Sequence, residues 1–203
     1  MKIVLLEDDV ALNKAITKVL QIDKHEVFSF SDGLELSNRL NTFDSRVYIL
    51  DINVPNKNGL ALLEEILASD PLKDVIIISS NTDLQSLQKA YSLGCIDYLK
   101  KPFHLEELRI KIDKLARKHL EIIEDIDQLI QPATSLTKKE KQLLELLVQN
   151  KNMLVSYRMI EETIYQERSM SMEGLRALVK RLRAKLDNDC ITNVTDEGYL
   201  IKF

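Results

Sequence analysis

The sequence predicts an α/β fold with a doubly wound, five-stranded parallel sheet, followed by a long helix and a small domain of three helices and a β-hairpin. Three observations support this prediction. Short apolar runs alternate with helical patterns over the first half of the chain, which is typical of repeated βα units. No Gly or Pro then occurs between Leu105 and Pro132. Three further helical patterns and a segment with a turn sequence complete the chain.

The apolar runs are the strands of the predicted sheet. They begin at Ile3, Val27, Val47, Val75 and Ile96. Between the runs, apolar residues recur at helical spacing, as at Leu12, Ile16, Val19 and Leu20. Strands that are apolar throughout belong to a sheet whose two faces are both covered by helices. The first part of the chain is therefore predicted to be a parallel sheet between two helical layers.

Polar side chains follow the carboxyl ends of four predicted strands. They are Glu7-Asp8-Asp9, Asp51, Ser79-Ser80 and Lys100-Lys101-Pro102. Ligands of open α/β sheets bind at the carboxyl ends of the strands. This edge of the sheet, with acids, a hydroxyl and a lysine, is the predicted functional site.

Length and composition favour a soluble, two-domain protein. The chain has 203 residues, 45% of them hydrophobic, which is long for one domain and sufficient for two cores. No apolar stretch approaches the roughly 20 residues that span a bilayer, and no export signal precedes the first strand. Cys95 and Cys190 lack partners at metal spacing. We therefore expect a cytoplasmic protein with reduced thiols and no membrane contact.

The order of the strand-end residues resembles the receiver domain of two-component response regulators, over Met1 to Lys118. The resemblance implies a phosphoacceptor aspartate, Asp51, and a sensor histidine kinase as partner. Glu7 and Asp8 match the acidic pair of the family. With Asp51 and the backbone carbonyl of Asn53, they are the implied ligands of Mg²⁺, which prefers hard oxygen atoms.

The remaining receiver positions are also present. Lys101 matches the lysine of the family and would place a fixed positive charge beside the phosphoryl oxygens. Ser79 and Tyr98 match the hydroxyl and aromatic residues that switch between two states in the family. A phosphoryl group would shift that equilibrium through the contacts it makes in only one state.

The long helical pattern continues beyond the predicted receiver, into a linker at residues 119–135. Apolar residues alternate four and three positions apart, which is the spacing of a heptad seam. Beyond Lys118 no receiver surface remains to cover Ile122, Ile126 and Leu129. Two alternatives are open for this helix: a short coiled coil with a second chain, or packing on the C-terminal domain.

Residues 136–203 are predicted to form a winged-helix domain. Thr137 and Glu140 form a capping-box pattern at the start of one helix, and Ser156 precedes a second. A third helix is expected from about Met172 to Leu186, and a hairpin around Asp196-Glu197-Gly198. The third helix contains five basic residues and no acid between Gly174 and Leu186. Such a basic face indicates nucleic-acid binding.

This segment resembles the effector domain of OmpR/PhoB-type regulators, with Thr137, Ser156 and the run Val179-Lys180-Arg181-Leu182-Arg183 as landmarks. The resemblance implies sequence-specific binding of double-stranded DNA, a homodimer, and RNA polymerase as a candidate partner. The residues implied to face the major groove are Arg176, Ala177, Lys180 and Arg181. Arg183 is implied to contact phosphate.

The chain departs from the family in three respects. The antiparallel sheet that opens the family's effector has no counterpart in residues 119–135. The predicted wing has Thr195, Asp196 and Glu197 where a basic wing is usual, so its DNA contacts are expected to be weak, absent or shifted to Lys202. Asp97 and Lys111 fit the charged pairs of family dimers, but other positions of that pairing do not.

Two other functions compete with DNA binding. The winged helix could bind protein instead of DNA, in which case DNA binding with a steep salt dependence is not expected. A metal-dependent phosphatase could use the carboxylate cluster, but the attached winged helix offers no substrate pocket. The sequence therefore favours a phosphorylation-controlled transcription regulator that is not an enzyme.

Overall fold

A computed structural model describes residues 1–80, 84–165, 170–187 and 189–203, without the side chain of Asn41. The chain divides into two compact units, Met1–Ala116 and Arg117–Phe203. No helix of the described residues combines the length and the apolar character needed to cross a membrane.

The first unit contains the predicted five-stranded parallel sheet. Its strands are β1 (Lys2–Leu6), β2 (Glu26–Phe30), β3 (Val47–Asp51), β4 (Asp74–Ser79) and β5 (Asp97–Lys100). Its helices are α1 (Val10–Ile22), α2 (Gly33–Arg39), α3 (Gly59–Ser69), α4 (Leu84–Ser92) and the first part of α5 (Leu105–Leu129). The strand order β2-β1-β3-β4-β5 is that of a doubly wound sheet, which confirms the predicted fold class.

Two apolar cores lie on the two faces of this sheet. Successive side chains of a strand point to opposite faces. Ile3 and Leu5 accordingly belong to the core that includes residues of α1 and α5. Val4 and Leu6 belong to the core that includes residues of α2 and α3. Every residue of β3 and β4 is buried, because helices cover both faces.

The long helix α5 ends at Leu129, three residues before Pro132. Beyond Ala116 it belongs to the second unit, where Ile122 and Leu129 are buried. Leu129 O accepts a hydrogen bond from Asp187 N at 2.9 Å. Of the two alternatives for this helix, the structure supports packing on the C-terminal domain of the same chain.

The second unit has the helices and the hairpin of a winged helix. Its elements after α5 are α6 (Lys138–Gln149), β6 (Val155–Ser156), α7 (Tyr157–Ile160), a π-helical turn (Glu161–Tyr165), α8 (Met172–Arg183), β7 (Ile191–Val194) and β8 (Gly198–Ile201). The three strands pair antiparallel in the order β6-β8-β7. The third helix ends at Arg183, three residues earlier than the sequence predicts, since Ala184 and Lys185 form a turn.

The predicted absence of an N-terminal effector sheet agrees with the structure. All residues between α5 and α6 are described, and no strand lies among them. A single bridge pairs Ile130 with Leu186. The capping box at the start of α6 is formed as predicted: Thr137 N donates to Glu140 Oε2 at 2.8 Å, and Glu140 N donates to Thr137 Oγ1 at 3.4 Å.

Candidate metal centre and nucleic-acid interface

The carboxyl ends of four strands, β1, β3, β4 and β5, bring the predicted acids, hydroxyl and lysine to one edge of the sheet. Glu7 follows β1, Asp51 ends β3 and Ser79 ends β4. All three side chains are buried. Lys101 follows β5, and its backbone N–H donates to Ser79 O at 2.8 Å. The parallel register of the strands thus places residues from distant parts of the sequence side by side.

Three carboxylates form a cluster at this edge. One oxygen each of Glu7, Asp8 and Asp51 lies within 4.8 Å of the others. Asp8 is exposed, whereas Glu7 and Asp51 are buried. Oε2 of Glu7 is buried and accepts no hydrogen bond with suitable geometry among the described residues, although it lies 2.7 Å from Lys101 Nζ. Three clustered carboxylates that share one ammonium fit a small divalent cation with oxygen ligands.

The side chain of Lys101 places one positive charge among these carboxylates. Its ammonium contacts Asp51 Oδ2 at 2.5 Å and Glu7 Oε1 at 2.7 Å. Burial alone would lower the pKa of Lys101, but these two hydrogen bonds and the two negative charges raise it above its ordinary value. Burial raises the pKa of Glu7, and the bond with Lys101 offsets only part of that effect. The lysine therefore stays charged beside two carboxylates.

The loop after β3 fixes the carboxylate of Asp51. Asn53 N donates to Asp51 Oδ1 at 2.9 Å, so both oxygens of Asp51 have a partner. Gly59 N donates to Ile52 O at 3.1 Å and closes this loop. A Cβ at Gly59 would lie 2.2 Å from Asp51 O, closer than any non-bonded contact. Position 59 therefore requires glycine, because the loop comes too close to the end of β3 for any side chain.

Two residues that support the acidic pair have structural roles. Asp9 caps α1 by accepting hydrogen bonds from Ala11 N and Leu12 N at 2.8 and 2.9 Å, and these bonds lower its pKa. Asn13 Nδ2 donates to Glu7 O at 2.8 Å and thereby holds the backbone of the pair. The role of Asn13 was not detectable from the sequence. Asp9 was detectable, because an aspartate directly before a helical pattern is a typical N-cap.

Ser79 and Tyr98 lie on adjacent strands. Tyr98 pairs with Ile77, two residues before Ser79, so the side chains of Ser79 and Tyr98 point to the same face of the sheet. Tyr98 is partly buried and packs against the core on the α2 and α3 face. The two predicted switch residues therefore share one face of the sheet. Their strands, β4 and β5, follow β3, which ends at Asp51, in the strand order.

The helix α8 has one apolar and one basic face. Leu175, Leu178, Val179 and Leu182 are buried. Spacings of three and four residues place them along one side of the helix. The predicted DNA-facing residues, Arg176, Ala177, Lys180 and Arg181, are all exposed on the other side.

Arg183 differs from the other predicted DNA contacts. Its side chain is 38% exposed, and its guanidinium donates from Nε and Nη2 to Ile191 O at 3.1 and 2.6 Å. Arg183 therefore joins the end of α8 to the first strand of the hairpin. This contact was not detectable from the sequence, where Arg183 is one of several basic residues on a helix.

The turn of the hairpin is acidic and exposed. Asp196 has a positive φ of 60°, and both Asp196 and Glu197 are exposed. Backbone groups hold this turn: Glu197 N donates to Val194 O at 3.1 Å, and Glu197 O accepts from Tyr157 N at 3.0 Å. Two exposed carboxylates at the wing would be repelled by DNA phosphates.

Comparison with known families identifies both parts of the chain. Residues 3–113 match the sequence model of the response regulator receiver domain. Residues 131–201 match that of the C-terminal domain of transcriptional regulatory proteins. The second match disfavours the alternative of a winged helix that binds only protein.

Relatives and solved structures with both domains agree with these matches. The transcriptional regulatory protein CrdR of Helicobacter pylori is 34% identical over 98% of this chain and 96% of its own length. The response regulator PmrA of Pseudomonas aeruginosa is 28% identical over 98% of this chain and 97% of its own length.

Among solved structures, DrrB of Thermotoga maritima, an OmpR/PhoB homologue, has the same fold. Its TM-score is 0.55 at 22% identity, over 100% of this chain and 99% of that one. The beryllofluoride-activated receiver domain of DrrB has a TM-score of 0.53 at 27% identity, over 57% of this chain and 97% of that one. The chain therefore belongs to the response regulators of two-component systems and is a transcriptional regulator of the OmpR/PhoB type.

Proposed function

We propose that Asp51 is the phosphoacceptor of this response regulator, and that a sensor histidine kinase phosphorylates it to control sequence-specific DNA binding by residues 136–203. The observation that carries this proposal is the contact of Lys101 with both Glu7 and Asp51 at the strand ends. A fixed ammonium at the attacking carboxylate provides the charge that a phosphoryl group needs when it arrives.

The proposed metal ligands are the carboxylates of Glu7, Asp8 and Asp51 and the backbone carbonyl of Asn53. Mg²⁺ bound there would supply positive charge that neutralises both the carboxylates and the phosphoryl oxygens. Support comes from the clustered oxygens of the three carboxylates, which share the single positive charge of Lys101.

The chain's own residues then have distinct roles. An oxygen of Asp51 forms a bond with phosphorus while the bond between phosphorus and the donor nitrogen of the kinase breaks. Asn53 N keeps the Asp51 carboxylate in a fixed orientation through its bond with Oδ1. Lys101 leaves Asp51 Oδ2 and contacts a phosphoryl oxygen, while its bond with Glu7 keeps it in place.

Ser79 and Tyr98 are proposed to report phosphorylation to the rest of the protein. The hydroxyl of Ser79 would bind a phosphoryl oxygen, and Tyr98 would turn towards the space that Ser79 leaves. Their shared face of the sheet supports such coupling. Both states exist before phosphorylation, and the new contact changes their ratio.

In the DNA-binding domain, Arg176, Ala177, Lys180 and Arg181 are proposed to face the major groove. Arginine reads guanine through two parallel hydrogen bonds, whereas lysine mainly positions the duplex. Arg183 is proposed to bind phosphate with the exposed part of its guanidinium, since the rest is bound to Ile191 O.

The domain bounds, the further partner, the location and the homodimer are part of the same proposal. We propose a receiver at 1–118, a linker at 119–135 and a winged helix at 136–203, with RNA polymerase as a further partner in the cytoplasm. Asp97 and Lys111 pair with each other within one chain at 2.5 Å. A homodimer is therefore proposed to use exposed apolar residues that neighbour this pair in sequence, such as Ile96 and Ile110.

The proposal is tested by selection of genomic fragments with the purified protein, with and without beryllofluoride and Mg²⁺. We expect discrete fragments to be enriched, more strongly with beryllofluoride, and the Asp51→Asn variant to lose this difference. Equal enrichment in both states would contradict phosphorylation control. No enrichment in either state would contradict sequence-specific DNA binding.

A further inference from the structure

Glu140, in the first turn of α6, is a buried acid that contacts two basic residues, Arg181 of α8 and Lys185 in the turn after α8. Its side chain is 1% exposed, whereas that of Arg181 is 62% exposed. The side chain of Lys185 is 27% exposed. A buried carboxylate therefore lies next to an exposed arginine that is predicted to face DNA.

The two oxygens of Glu140 have different partners. Oε2 accepts hydrogen bonds from Thr137 N at 2.8 Å and from Lys185 Nζ at 2.7 Å. Oε1 faces Nε of Arg181 at 3.6 Å, an ion pair that is too long for a hydrogen bond. Lys185 also donates to Ser135 O at 2.9 Å. Oε1 is thus the oxygen directed at the DNA-facing side of α8.

The negative charge of Glu140 is not needed for its role in the helix cap. A capping box works with glutamine as well as glutamate, because the side-chain oxygen is the acceptor. Burial would raise the pKa of Glu140, but the bonds with Lys185 and Thr137 outweigh it, so the pKa is lowered. Glu140 therefore remains ionised, and its negative charge attracts Arg181 and Lys185.

The contact of Nε with Glu140 determines which edge of the guanidinium of Arg181 can face DNA. A guanidinium can read guanine with its two terminal nitrogens or with Nε and one terminal nitrogen. Because Nε faces Glu140, the terminal edge is the one left for DNA. We propose that Glu140 is a positioning residue for base recognition, holding Arg181 so that its two Nη groups face a guanine; this rests on the proposed contact of Arg181 with a base.

The test is a double-mutant cycle in the full-length protein, with Glu140→Gln, Arg181→Ala and the combined variant. For each, the ratio of Kd values for a scrambled duplex and for a selected duplex is measured at fixed salt. We expect Glu140→Gln to lower this ratio about five- to tenfold, and to change it less than about twofold when Arg181 is already alanine.

A matched control separates positioning from general loss of charge. Lys185→Met removes the other basic partner of Glu140 and leaves the contact with Arg181, so the ratio is expected to stay within about twofold of the wild type. If Glu140→Gln unfolds the domain by leaving Lys185 unpaired, the double variant Glu140→Gln/Lys185→Met removes both charges. The same five- to tenfold loss, about the value of one misplaced contact, is expected there.

The outcomes distinguish this inference from the proposed function. An equal loss from Glu140→Gln in both Arg181 backgrounds would show a merely structural role and overturn the inference. A loss from Arg181→Ala but none from Glu140→Gln would also overturn it, and would leave the proposed DNA contact intact. No loss of base preference from Arg181→Ala would overturn both.

Discussion

Two buried carboxylates, one in each unit, are paired with lysine in different ways. Glu140 in the DNA-binding domain has partners on both oxygens: Thr137 and Lys185 on Oε2, and Arg181 on Oε1. Glu7 in the receiver has both oxygens 2.7 Å from a single ammonium, that of Lys101, and lies beside the carboxylates of Asp8 and Asp51. The first arrangement fixes the position of neighbouring side chains. The second leaves coordination capacity for a ligand that arrives from solvent, as expected of a reaction site.

The largest difference between the two clusters is expected in phosphoryl transfer. Asp51→Asn should abolish the mass increase of the protein after incubation with phosphoramidate and Mg²⁺, because the amide cannot attack phosphorus. Glu140→Gln should incorporate a phosphoryl group as the wild type does. Intact-mass spectrometry measures both variants, and an unchanged mass increase in Asp51→Asn would show that another residue is the acceptor.

The second difference concerns the free energy of unfolding. Lys101→Met leaves buried Glu7 and Asp51 facing each other without a cation, which should destabilise the receiver by about 3 kcal/mol without Mg²⁺. Lys185→Met should cost the DNA-binding domain about 1 kcal/mol, since Glu140 keeps Arg181 and Thr137. Urea denaturation of both variants tests this. Equal losses of unfolding free energy in the two variants would contradict the expected difference between the two clusters.

A smaller difference between the two clusters is expected in their effect on the affinity of the protein for Mg²⁺. Glu7→Gln removes one of three charges and should weaken Mg²⁺ binding at least about tenfold in isothermal titration calorimetry. Glu140→Gln is the matched control in the other unit and should bind Mg²⁺ like the wild type. Unchanged binding in Glu7→Gln would exclude this carboxylate from the metal site.

The smallest expected effect is a pH dependence in the receiver alone. Burial, which disfavours imidazolium, lowers the pKa of His25 from its ordinary value of 6.5, and neither ring nitrogen has a hydrogen bond within the described residues. The unfolded chain therefore binds the proton first. The stability from neutral His25 is complete above pH 6.5 and is lost as the pH falls from there towards the lowered pKa.

The comparison between units provides the control for that effect. The second unit contains one histidine, His119, so in a His119→Gln variant the unfolding transition of that unit should change less between pH 7 and pH 6. His25→Leu should reduce the loss of receiver stability over the same interval. A slope that is identical in wild type and His25→Leu would assign the pH dependence to other groups.

Most of the fold could be predicted because it depends on local patterns. Apolar runs such as Val47 to Leu50 locate strands, and Asp51 follows from where one of them ends. The basic face of the third helix is likewise a matter of spacing along one element. In each case the residues that carry the information are neighbours in sequence.

Contacts between distant elements could not be predicted in this way. The pairing of Glu140 with Lys185 and that of Arg183 with Ile191 O depend on how helices and strands meet in three dimensions. The heptad spacing of Ile122 and Leu129 correctly indicated an apolar face but left open what covers it. Periodicity reports that a side is buried, and only the tertiary fold determines the partner.

The hairpin is held in place by main-chain carbonyls rather than by the side chains of its turn. Glu197 O binds Tyr157 N, and Ile191 O binds the guanidinium of Arg183. The side chains of the turn can therefore vary without loss of these contacts, except at Asp196, where the positive φ of 60° favours Gly, Asn or Asp. Protein engineers can use the same tolerance: this turn is a natural position for grafting basic wings and retargeting the regulator to new operators.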